Sequence, residues 1–228
     1  MFLNDCPYAY YIHCFAHRLQ LALVAASKDV HDVWLFFSKL NLIINLVSAS
    51  PKRHFELKSA REIEIAELLS FGVLETGIGA NQIHTLTRPG ATRWSSHFDS
   101  VNKLIDMFGP TCIVLENLIK NRLNNNIRGE AKGTLKAIRS FEFVFILQLM
   151  NEVMGITDIL CQALQRQSQD ILNALHLVRS TKILLHELRQ DGWGKFFSTL
   201  VSFCERQGID IQYMSAHYIE GTGHSCQQ

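Results

Sequence analysis

From His13 onward the apolar residues recur three and four apart through one segment after another. That is the period of a helix with one buried face, and it fixes the expected fold class as mainly α. Phe15, Leu19, Ala22 and Leu23 set the period in HCFAHRLQLALVAAS, and a second run rich in Leu, Ile, Val and Phe extends from about Asp29 to Ala49. Ser50-Pro51 opens a third helix, with Ser as N-cap and Pro in the first turn. It runs to about Ser70, with Glu62, Glu64 and Glu67 on its wet side. Thr92 reads as the N-cap of a helix to about Phe108. Gly109-Pro110 interrupts that helix, and the pattern resumes to about Ile119. Ser140 opens a long apolar helix, FEFVFILQLMNEVMGITDILCQALQ, to about Gln167. Ser168 with Asp170 starts another that ends at Gln190-Asp191-Gly192, where Gly192 fits a C-terminal cap. A last helix covers Trp193 to about Arg206.

Three stretches break the pattern. Gly72 to Gly90 has no sustained period and reads as a long loop, a kind that is usually functional or mobile. Asn121 to Gly133, NRLNNNIRGEAKG, is polar and reads as a second loop. The tail from Gly208, ending GTGHSCQQ, is expected to be disordered. One segment has a different period: Tyr8 to Ile12, YAYYI, reads as a short strand after Pro7. A lone strand cannot satisfy its own backbone donors and acceptors. Its sheet is therefore expected upstream of Met1.

Charge limits the function classes. Lys and Arg number 22 against 21 acids, for a net charge of +1 in 228 residues. Strong, autonomous, non-specific DNA binding relies on a clearly basic field and is disfavoured, which leaves a local patch. The six cysteines are scattered without a CxxC pair and read as reduced thiols of an intracellular protein. The N-terminus lacks the basic and apolar regions of a signal peptide. The most apolar run, Phe143 to Met150, contains Gln148 and falls short of the roughly twenty residues of a membrane span. A soluble protein without a membrane partner is expected.

Few residues offer chemistry. Cys14 and His17 form a C-x-x-H whose members share a helix face, but a zinc site needs three or four ligands and nothing nearby completes one. The pair reads as packing residues, and no metal site is expected. In Thr92-Arg93-Trp94-Ser95-Ser96-His97, Trp94 beside Arg93 is placed to stack on a base. Spacing alone favours the plainer reading, in which Trp94 anchors the helix to the core. Leu118 to Arg139 holds Lys120, Arg122, Arg128, Lys132, Lys136 and Arg139 against one acid, Glu130. It is the best candidate for phosphate contact, with a solvated helix face as the alternative. GIGANQ, Gly77 to Gln82, lacks the Lys-Ser/Thr of a P-loop, and no G-x-S-x-G is present. No small-molecule substrate is indicated.

HCFAHRLQLALVAAS followed by TRWSSHFDS resembles the hAT transposase superfamily, and more closely the plant proteins that pair a TTF-type zinc finger with a hAT dimerisation region. The likeness extends over most of the chain, with Cys14, His17, Arg93 and Trp94 as its sharpest matches. It implies a ribonuclease-H-like domain interrupted by a helical insertion. Residues 1–70 would be the end of that core, 71–207 the insertion and 208–228 the tail. It implies a nuclear location and an origin in a transposable element. Divalent metal, held by two aspartates and a glutamate, would belong to the intact family alone. Both aspartates would precede Met1 and the glutamate would follow Gln228, so the chain is expected to be catalytically inactive. The family's insertion-domain Trp, which helps stabilise distorted DNA, maps to Trp94.

Two readings follow. In one, the chain keeps weak DNA contact through Arg93, Trp94, His97 and the basic stretch Lys120, Arg122, Arg128, Lys132 and Lys136. In the other, it is a helical interaction module that recruits a second copy or a full-length relative. A relic without function is the third alternative.

Overall fold

Pro51, Pro110 and Gly208 mark helix boundaries in the computed structural model, which describes residues 15–74, 83–120, 125–166 and 170–211. Nine helices occupy the described residues: α1 (Phe15–Asp29), α2 (His31–Val47), α3 (Pro51–Ser70), α4 (Trp94–Asp106), α5 (Phe108–Lys120), α6 (Asn125–Ile138), α7 (Phe141–Ala163), α8 (Ile171–Gln190) and α9 (Trp193–Gln207). No strand occurs among the described residues, and the mainly α expectation holds for them. The strand expected at Tyr8–Ile12 lies outside them, as do Cys14, Arg122 and residues 212–228.

Several expected start signals work as capping chemistry requires. The Ser50 Oγ accepts from the Arg53 N–H at 3.4 Å, with Pro51 in the first turn. The Ser140 Oγ accepts from the Phe143 N–H at 3.3 Å, and Asp170 accepts from the Asn173 N–H at 2.8 Å. Other boundaries differ. Arg93, not Thr92, is the residue before α4. Met107, not Gly109-Pro110, separates α4 from α5. Pro110 sits in the first turn of α5, where its missing N–H would have had no helical partner. Gly192 has φ −74° and opens α9 instead of serving as a left-handed cap. A Cβ there would lie 2.6 Å from the Leu188 carbonyl, so glycine is required by space. Gly208, at φ 62°, is the left-handed cap. It turns Ile209, 6% exposed, back into the core, so ordered packing extends past the expected start of the tail.

The main departure is α6. The stretch read as a loop from Asn121 to Gly133 is helical from Asn125. Its asparagines and glycines are weak helix formers. Ile127, Ala131, Thr134 and Ile138, however, are spaced 4, 3 and 4 apart and face inward against α5 and α2. Burial of that stripe outweighs local propensity. Gly129 and Gly133 fall on the open side, where a Cβ would touch nothing.

α7 is the central helix and packs against α4, α8, α9, α2 and α1. Below it α2 buries Phe36, Leu40, Ile43, Ile44 and Val47, and the Phe36 and Phe143 rings meet at 5.1 Å. One apolar core extends from Val24 to Ile209, with side chains from both sides of residue 70. α7, at 23 residues, is long and apolar enough to cross a membrane by length and composition. It nevertheless buries Gln148, Thr157 and Asp158 among its neighbours, the polar content of a core helix. α8 buries none of its residues fully.

Candidate nucleic-acid interface

Arg93 and Trp94 part at the start of α4. Trp94 turns inward to 2% exposure, and its indole N–H donates to the Thr157 Oγ1 on α7 at 2.8 Å. The Thr157 hydroxyl donates in turn to the Val153 carbonyl at 2.9 Å. His97, one turn on, lies against the Trp94 ring with centroids 6.0 Å apart and meets Phe37 edge-on at 4.9 Å. Its Nδ1 is 3.0 Å from the Arg93 carbonyl. Burial lowers the His97 pKa, partly opposed by that backbone contact and aided by Lys28. Both rings therefore face the protein. This is the geometry of an anchor, and it leaves no indole face free for a base.

Arg93 turns outward. With Ala16, His17 and Gln20 of α1, Ser95 and Ser96 of α4, Thr92, and Gln165 beyond α7, it lines an open groove of mixed polar and apolar character, about 710 Å³ in volume. The groove thus joins His17 of the C-x-x-H to Arg93 of the Arg-Trp pair, 76 positions apart in the chain. The Ser96 Oγ accepts from the Gly90 N–H at 2.7 Å and donates to the Arg93 carbonyl at 2.6 Å, which fixes the approach to the helix. The Ser95 Oγ is buried without a partner. The first turn of α4 carries no acid, so the positive end of its dipole is not offset. Gln20 and Gln165 were not legible as site residues, because an isolated polar position carries no spacing signal.

The basic stretch is a separate surface. Arg128, Lys132 and Lys136 recur every four residues along the exposed side of α6, and Lys120 ends α5. No carboxylate among the described residues pairs with any of the four. Arg139 is held by Glu116 at 2.6 Å. None of these cations lines the His17–Arg93 groove. No three His, Cys, Asp or Glu side chains among the described residues converge to hold a metal ion.

No family model matches the chain, and no solved structure matches it. The chain is similar to the mouse protein named 52 kDa repressor of the inhibitor of the protein kinase, at 23% identity over 192 residues. That match takes in 82% of this chain and 23% of the mouse protein, so the chain spans about a quarter of the relative's length.

Proposed function

We propose that the chain is a hAT transposase-like helical segment that contacts DNA phosphates without cutting them. The observation that carries this reading is the row Arg128, Lys132 and Lys136 on α6. Four-residue spacing on a helix sets consecutive cations about 6 Å apart on one face. Cations with no carboxylate partner give up no ion pair when a phosphate arrives. Arg93, at the positive end of α4, offers a second contact. Trp94 belongs to the support of that contact, because its burial sets the position of Arg93. Near-neutral net charge limits the affinity, and the reading is of weak, salt-dependent binding.

The test is duplex binding measured over a salt series. Each phosphate contact adds roughly 0.9 to the slope of log affinity against log salt. Arg128→Ala/Lys132→Ala/Lys136→Ala is expected to lower the slope by about 2–3. Arg93→Ala is expected to lower it by about 1. Binding that ignores salt, or that survives both sets of changes, overturns the reading.

A further inference from the structure

α8 leans on α7 and α9 toward its C-terminal end. Toward its N-terminal end it parts from α1 and leaves an apolar groove of about 960 Å³. Leu19 and Leu23 of α1, Leu160 of α7, and Ile171, Leu175 and Val178 of α8 line it. The α8 residues recur at helical spacing, and Ile171 and Leu175 are 79% and 63% exposed. Arg18, Arg166 and Lys182 line it together with one acid, Asp170, so cations outnumber acids three to one, and none of the three cations pairs with a carboxylate among the described residues. A groove of this kind takes an amphipathic helix whose apolar stripe is flanked by acids.

The same chain carries such a helix. α3 packs on α5 and α2, and its outer side exposes Phe55 (71%) and Ile63 (61%), with Ala66 and Lys52 on the same face. Glu62 and Glu67 flank that stripe, one on each side, and pair with no cation among the described residues. We infer that the α1–α8 groove binds α3 of a second copy of this chain, with Phe55 and Ile63 in the groove and Glu62 and Glu67 against its cations. Repeated head-to-tail, a contact between two different surfaces leaves a free groove at one end and a free α3 at the other.

The test is sedimentation of the chain, without DNA, across a concentration series at low and high salt. Wild type is expected to form oligomers that grow with concentration and weaken with salt. The groove variant Arg18→Glu/Lys182→Glu and the helix variant Glu62→Lys/Glu67→Lys are each expected to associate at least about tenfold more weakly. All four side chains lie on the surface, and unchanged helical circular dichroism and melting establish that each variant folds. Mixing the two variants pairs an acidic groove with a basic helix and a basic groove with an acidic helix, and is expected to restore association. A monomeric wild type, association indifferent to either reversal, or a mixture that stays monomeric overturns the inference. A dimer that never grows overturns the head-to-tail form.

Discussion

The bond between Trp94 and Thr157 allows a direct test of whether Trp94 is an anchor. In Thr157→Val the indole N–H stays buried and loses its acceptor among the described residues. An unsatisfied buried donor costs about 1–3 kcal/mol, more than a hydrogen bond is worth net. The Thr157 hydroxyl also donates to the Val153 carbonyl, but that carbonyl lies in α7 and does not depend on it. With a urea slope of roughly 3 kcal/mol/M for a chain of this size, a 2 kcal/mol loss lowers the unfolding midpoint by about 0.7 M. Trp94→Phe removes the donor and part of the ring, so it leaves a cavity but no orphan. In that background Thr157→Val should cost less, with a coupling of about 1 kcal/mol. Equilibrium urea unfolding of the four proteins completes the cycle. Acrylamide quenching provides a second reading, because Trp34 and Trp193 are about half exposed and Trp94 is not. Equal costs of Thr157→Val in both backgrounds, or quenching of all three tryptophans alike, would refute the anchor.

Gly129 and Gly133 sit on the open side of α6, so Gly129→Ala and Gly133→Ala should each stabilise the chain by about 0.5–1 kcal/mol in urea unfolding; a loop at this place gives no such gain. Burial pushes the Cys112 and Cys161 thiols up to about 11 and raises Cys204 as well. At pH 8 roughly one molecule in a thousand carries either of the first two as thiolate, so alkylation mapped by mass spectrometry should find these sites protected until the chain unfolds. Burial lowers the His97 pKa below its ordinary 6.5, so the folded state favours the neutral ring. The associated stability is in place above pH 6.5 and is lost as pH falls through the lowered folded value. Unfolding midpoints measured from pH 7.5 to 5 should fall, and His97→Gln should flatten part of that decline.

What was legible in the sequence follows the strength of the local signal. Ser50-Pro51 and Ser140 announce helix starts because their chemistry is complete within four residues. α6 was hidden because its signal is tertiary. Asn and Gly lower its intrinsic helicity, while Ile127, Ala131, Thr134 and Ile138 have value only with α5 and α2 beside them. Gly192 was misread because a glycine needed for close approach to Leu188 and one needed for positive φ look alike in sequence. Within the candidate site, spacing favoured the inward reading of Trp94, and the geometry fits it. The meeting of His17 with Arg93 depends on how α1 packs against α4, which nothing local to either motif determines.

That packing gives the Arg-Trp pair a division of labour. Neighbouring residues at a helix start point in different directions, so a deeply held Trp94 fixes Arg93 at the groove mouth without any contact of its own with a ligand. Loss of DNA binding in Trp94→Ala therefore does not identify a base-stacking ring. Truncating a buried aromatic costs about 3–5 kcal/mol and removes the platform together with the surface it presents. Arg93→Ala changes an exposed side chain that caps nothing and supports no core residue. A base-stacking Trp94 requires the indole to leave Thr157. Thr157→Val, which weakens the hold on the ring, should then strengthen DNA binding per folded molecule. An anchoring Trp94 requires the opposite: binding per folded molecule in Thr157→Val is expected to stay level or fall. The sign of that one change, measured where the variant is fully folded, separates the two roles.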